Sequence, residues 1–383
     1  MVYLNQAATT WPKPPCVLEA HASALAAVPA GQFRGGAPEE GRDVMDGCRN
    51  LLGRILGISD TGNVFFSSGA TDSANAVIYG LPLKGGRVLA TQTEHNSVLR
   101  PLMNLKDRVG RVDIVPCGAT GRVDAETVEA MLDADTAAVF LNHCSNVTGV
   151  IQDVRAIAQA AHRHGALLVL DAAQSAGCIP IEAEAWGVDA LIFTGHKGLF
   201  GVQGTGGYYV RKGVPFSPYR YGGTGRDSRR LTYEAGDYEY EPGTQNLPGI
   251  AALAAGAAYV LREGVEQIAR KEQALLERLR RGLEALERVR LYGDSGSGGP
   301  VLSFTIDGLK PADAAYMLEG AFGIRVRAGL HCAPLIHRAI GTEAWGTVRV
   351  SVSNMNTEAE MDCLIEAVRQ ICSGMEAVHA DRG

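Results

Sequence analysis

The chain has 383 residues, 46% of them hydrophobic and 20% charged, with a net charge of −6 at pH 7. That length corresponds to two or three domains and a core large enough to need no disulfide or metal staples. The acidic balance argues against nucleic acid as a partner and against attraction to an anionic membrane surface. The opening MVYLNQAATTWPKPP has neither a basic start nor a long apolar run, so it does not read as a signal peptide. No run of about 18 apolar residues predicts a transmembrane helix. Cys16, Cys48, Cys117, Cys144, Cys178, Cys332, Cys363 and Cys372 are widely scattered, with no C-x-x-C pair. Such spacing predicts a cytoplasmic protein with reduced thiols and no metal site.

In chain order, Asn63–Phe66 is the first strand of interest, followed by the helix opening SSGATDSAN (67–75). Arg87–Thr91, Val112–Val115, Ala137–Leu141, Ala166–Leu170, Ala190–Phe193 and Gly206–Val210 are further short runs rich in Val, Leu and Ile. Helical stretches between them predict an α/β fold with a mostly parallel sheet covered on both faces. Ligands of such sheets sit beyond the carboxyl ends of the strands. A long helix is predicted from about Val265, because Ile268, Leu275, Leu276, Leu279, Leu283 and Leu286 share one face. After GDSGSGGP (293–300), the remainder reads as a smaller α+β unit. The expected division is a large domain over 15–262 and a small domain over 1–14 and 263–383.

Four motifs end strands of the predicted sheet. In FTGHKG (193–198), Lys197 follows a buried strand, where desolvation lowers a lysine's pKa and makes it nucleophilic toward an aldehyde. Taken alone, a solvated surface lysine is the commoner outcome. In ALLVLDAAQSAG (166–177), Asp171 ends an apolar strand, and a carboxylate there needs a positive partner. A protonated pyridine nitrogen would supply one, and a helix cap is the plainer alternative. SSGATDSAN offers backbone N–H groups and the hydroxyls of Thr71 and Ser73 to a phosphate, with Gly69 allowing close approach. TEHNS (93–97) brings His95 to the same edge, where an imidazole could lie on a planar cofactor.

In this order the motifs resemble the class V branch of fold-type I pyridoxal-phosphate (PLP) enzymes, and within it the NifS-like cysteine desulfurases and selenocysteine lyases. The resemblance runs from YLNQAATTWPKP near residue 3 to VRVSVSNMNT near residue 348. It implies a fold-type I transferase with Lys197 holding the cofactor, Asp171 at the pyridine nitrogen, Gln174 at the ring hydroxyl and His95 stacked on the ring. Gly69, Ala70, Thr71, Thr194 and His196 are implied for the phosphate, Asn146 for cofactor and substrate, and Ala8 for substrate. Arg349 is implied for the substrate carboxylate, which a planar guanidinium binds with two hydrogen bonds. Thr244, in YEPGTQN (240–246), matches a threonine that reaches the neighbouring subunit's phosphate, which implies a homodimer. Where the family reads Asp-Asn before AATT, this chain has Asn5-Gln6, a change that bears on substrate contacts. The family also often has serine where Thr194 keeps the hydroxyl.

RAGLHCAPL (327–335) aligns Cys332 with the family's persulfide-forming cysteine, and His331 beside it is a candidate for proton transfer. The other seven cysteines read as small buried hydrophobes. The resemblance thus implies conversion of L-cysteine to L-alanine, with sulfur held as a persulfide on Cys332. The compact loop is similar to the SufS-like group, which implies an accessory protein as sulfur acceptor, with iron–sulfur assembly one destination. Selenocysteine lyase, another C–S lyase and an aminotransferase of the same fold are the near alternatives. A non-catalytic sulfur-handling protein is a more distant one, weakened by Lys197, Asp171, His95 and Arg349 occurring together. GDSGSGGP is similar to the chymotrypsin-like nucleophile motif with an extra Gly-Ser, and a polar loop is preferred. GVQGTGG (201–207) lacks the G-x-G-x-x-G spacing of a nicotinamide site.

Overall fold

The computed structural model describes residues 1–27, 39–83, 85–105, 108–223, 229–232, 240–294 and 298–380. Ser295, Gly296 and Ser297 of the GDSGSGGP loop lie outside the described residues.

Seven strands form the central sheet, in the spatial order Val64–Ser67, Gly206–Val210, Ala190–Thr194, Leu167–Asp171, Thr136–Asn142, Arg87–Thr91, Arg111–Val115. Every predicted strand is present, with ends shifted by at most one residue. Gly206–Val210 runs antiparallel to both neighbours, so the sheet is mixed, with its other six strands running the same way. Alternate residues of each strand feed separate cores on opposite faces. Leu89, Val139, Leu141, Leu168, Leu170, Leu191 and Phe193 pack on one side. Val88, Ala90, Ala138, Phe140, Val169 and Ile192 pack on the other. Burial on both faces is why these strands read as continuous apolar runs.

A second, four-stranded antiparallel sheet runs in the order Arg327–Gly329, Thr347–Ser351, Val301–Ile306, Val289–Tyr292. Its core joins Phe304, Val348 and Val350 to Leu275, Leu276, Leu279 and Leu283 of the Val265–Glu284 helix. The same helix starts against the larger core through Val265 and Ile268. The apolar face that the period predicted is therefore shared by two cores. Val2–Tyr3 pairs with Ile324–Arg325, which brings the N-terminal segment over to the smaller sheet. No helix of the described residues is long and apolar enough to cross a membrane.

The Leu247–Glu263 helix packs against the turn that follows Lys197, and Gly256 makes this possible, because a Cβ there would collide with the Leu199 carbonyl. Gly256→Ala forces the helix or the turn to move, at a cost of about 1–3 kcal/mol. A lowered urea midpoint is expected, and an unchanged midpoint would contradict this packing.

Candidate active site

Five strands deliver groups to one edge of the central sheet. Residues 68–72 follow Val64–Ser67, His95 follows Arg87–Thr91, and Asn146 follows Thr136–Asn142. Asp171 and Gln174 follow from Leu167–Asp171, and Thr194, His196 and Lys197 from Ala190–Thr194. Together with Ala8, Arg327 and Arg349, these residues line a cavity of about 340 Å³. That is the scale of a small-ligand site at the carboxyl edge of an open α/β sheet.

Lys197 and Asp171 face each other electrostatically in this cavity. Burial, aided by Arg349 and Arg327, pushes the Lys197 ammonium down to about 8, and Asp171 opposes the shift. A fraction of the lysine is then a free amine at neutral pH. Burial raises the Asp171 carboxyl, against the Ala173 N–H that donates to Oδ1 at 2.9 Å and the charge of Lys197. Asp171 thus serves no helix cap; residues 173–178 form turns.

Gly69 caps the Ala70–Gly80 helix with φ of 142°, a conformation open chiefly to glycine. Gly69, Ala70 and Thr71 line the cavity. Ser73 does not serve it: its hydroxyl lies 2.7 Å from Ser67 Oγ inside the fold. Asp72, which the sequence did not single out, also lines the cavity and accepts from the Ser68 N–H and hydroxyl. Thr194 Oγ1, His196 Nδ1, Asn146 Oδ1 and Arg349 Nε are buried without a hydrogen-bond partner. Asn142 Oδ1 is a fifth, and buried polar atoms are nearly always paired, so five orphans among the cavity-lining residues fit a polar ligand. Gln174 Nε2 donates to the Ala7 carbonyl at 3.1 Å.

His95 Nδ1 accepts the Ser97 backbone N–H at 3.0 Å, which leaves the ring proton on Nε2. Burial first, then Lys197, Arg327 and Arg349, push its pKa down to about 3. His95 is a neutral imidazole.

Arg349 is 1% exposed. Its Nη1 donates to the Asn146 carbonyl at 3.1 Å and its Nη2 to Asn5 Oδ1 at 3.0 Å. Both partners are neutral oxygens, so the guanidinium keeps its charge for a ligand. Burial and Arg327 pull its pKa down to about 9. Arg327 lies directly opposite Arg349 across the antiparallel pair. Two like charges at such a position repel, which points to an anion between them. Arg327 escaped the sequence reading, because its place opposite Arg349 is set by strand pairing.

Arg327 Nη2 also donates to Cys332 Sγ at 3.3 Å. Cys332 is exposed and does not line the cavity, but one arginine connects it to the lining. Its loop is tied down on both sides: the Asn96 N–H donates to the Cys332 carbonyl at 2.7 Å, and Asn146 Nδ2 to the His331 carbonyl at 2.7 Å. His331 and Cys332 hold φ of 51° and 61°, a left-handed pair that L-residues adopt at a cost. The His331 ring turns inward, with Nε2 3.0 Å from Thr347 Oγ1, and its pKa falls to about 2. It is a buried strut for the loop, so the expected part in proton transfer does not hold. Thr244 is exposed and does not line this cavity.

Fold and cavity together define a fold-type I transferase of the kind that uses PLP. The aminotransferase class-V family model matches residues 2–364. The chain is 33% identical over 380 residues to the "Probable cysteine desulfurase" of Methanothermobacter thermautotrophicus, covering 97% of this chain and 94% of that one. A protein of the same description from Mycolicibacterium paratuberculosis is 32% identical, over 87% of this chain and 49% of its own length. Among solved structures, the apo cysteine desulfurase of Thermococcus onnurineus NA1 superposes with a TM-score of 0.88 at 29% identity, covering 97% of this chain and 95% of the other. The cysteine desulfurase CsdA of Escherichia coli gives 0.86 at 25% identity, covering 96% and 94%. The chain belongs to the aminotransferase class-V family.

His95 is expected to stay neutral through the ordinary pH range. Its ring ¹⁵N shifts should not change between pH 5 and 8. A titration centred near 6.5, the free-imidazole value, would contradict the hydrogen-bond assignment.

Proposed function

We propose that this protein is a PLP-dependent cysteine desulfurase that converts L-cysteine to L-alanine and holds the sulfur as a persulfide on Cys332. The observation that carries the reading is one arginine, Arg327, lining the cavity of Lys197 and Arg349 while donating to the Cys332 sulfur. An aminotransferase has no use for an exposed sulfur there. Selenocysteine and other thiol amino acids would meet the same groups and are arms of the test below.

Lys197 would hold PLP, with Asp171 at the pyridine nitrogen, His95 on the ring and Gln174 at its hydroxyl. Gly69, Ala70, Thr71, Thr194 and His196 would hold the phosphate. When bound, PLP accepts the electron pair released at the substrate Cα. The chain's own groups do the rest. Arg349 takes the substrate carboxylate with its fork, and Ala8 and Asn146 bound the same space. The free-amine fraction of Lys197 Nζ can take a proton from Cα and return one. Neutral His95 offers Nε2–H as a donor without adding charge. Cys332 Sγ attacks the substrate sulfur: an S–S bond forms, the Cβ–S bond breaks, and the Cβ electron pair takes a proton to give alanine. Arg327 holds a positive charge beside the attacking sulfur.

Residues 15–262 are proposed as the cofactor domain, with 1–14 and 263–383 as the smaller one. The seven-stranded sheet within 64–210 and the four-stranded sheet within 289–351 support that division. A homodimer is proposed as well, because Thr244 sits exposed and apart from this cavity, as a residue serving a second subunit's site would. The exposed Cys332 suits delivery of sulfur to an acceptor protein.

The test is alanine formation from L-cysteine with a thiol reductant present, run beside Cys332→Ala. Loss of about a hundredfold or more is expected in the variant, with visible cofactor absorbance kept. Equal rates would refute the persulfide role. Alanine from selenocysteine alone would replace the substrate.

A further inference from the structure

Glu94, beside His95, is completely buried and takes no part in the chemistry above. The Thr91 hydroxyl donates to its Oε1 at 2.6 Å and the Asn142 backbone N–H at 2.5 Å. Its Oε2 meets no partner, and neither does Oδ1 of Asn142. The groups around it are neutral on its own turn, Thr91 and Thr93, and neutral on the Thr136–Asn142 strand, Asn142. The one charged group acting on it is Asp171, from the next strand, where Asp171 pairs with Asn142.

Two buried carboxyls at one sheet edge do not both ionise cheaply. Asp171 has Lys197 and the Ala173 N–H to stabilise its charge. Glu94 has only neutral donors and an unmet oxygen, and a buried charge without a cation neutralises instead. Protonation turns Oε2 from an unmet acceptor into a donor. We infer that Glu94 is a neutral carboxylic acid at neutral pH, so that of these two buried carboxyls Asp171 alone carries the charge. Burial, with Asp171, pushes its pKa up to about 8, in the same direction. The inference builds on the proposed role of Asp171 toward the cofactor.

Infrared spectroscopy of the full-length protein at pH 7 tests it, with Glu94→Gln and Glu272→Gln compared. Glu272 is the other buried carboxyl with an unmet oxygen among the described residues, so its variant removes a second source of signal. A carboxylic-acid carbonyl band that persists in Glu272→Gln and is lost when Glu94→Gln is added to it is expected, with or without PLP. In PLP-loaded protein the visible spectrum of Glu94→Gln should superimpose on wild type at pH 7 and part from it above about pH 9, where wild-type Glu94 has ionised. A band unaffected by Glu94→Gln, or spectra that differ at pH 7, overturns the inference. If Glu94→Gln does not fold, the Glu272→Gln protein with its glutamate carboxyls labelled with ¹³C still decides: a band at pH 7 that moves on labelling supports a neutral Glu94, and a band that does not move, or no band, refutes it. A protein that takes up no PLP sinks the cofactor reading, while the infrared band still decides the state of Glu94.

Discussion

The site depends on burying an amine and a carboxylate together at the carboxyl edge of the sheet. Asp171 ends one strand and Lys197 stands in the turn after the adjacent parallel strand, and each moderates the desolvation cost of the other. Among the described residues neither is neutralised by a close ion pair. The amine is left poised near neutrality and the carboxylate is left in need of a cationic ligand. Both faces of the sheet must be packed for this edge to be held in place, and the two cores on either side supply that support.

A second constraint sits opposite. Arg349 and Arg327 are held side by side on the smaller sheet, without a carboxylate partner for either among the described residues. Their mutual repulsion is tolerable when an anion lies between them. The same pair of strands leads directly into the left-handed His331–Cys332 turn, where local strain is held by hydrogen bonds from Asn96 and Asn146. Binding groups on one sheet and the proposed cofactor groups on the other thus converge, and the exposed sulfur stands at their junction.

The sequence made much of this legible because its strongest signals are local. Apolar runs marked the strands, and Lys197, Asp171, His95 and Gly69 each stood just after one. The Val265–Glu284 helix announced itself by its leucine period. Long-range pairing was harder to read. Nothing local in GGYYV shows that Gly206–Val210 runs antiparallel. Arg327 gains its meaning only from lying across from Arg349, and Glu94 only from lying near Asp171. Ser73 and His331 misled for the same reason: each is near the site in sequence, but its side chain is spent on a buried partner, Ser67 or Thr347.

The most direct test of this account is to load the protein with PLP, reduce it with borohydride and map the modified peptide by mass spectrometry. The account predicts cofactor fixed to Lys197, in the segment between Phe193 and Arg211, with the visible absorbance lost on reduction. Cofactor fixed to a different lysine, such as Lys13, or no fixed cofactor at all, would contradict it.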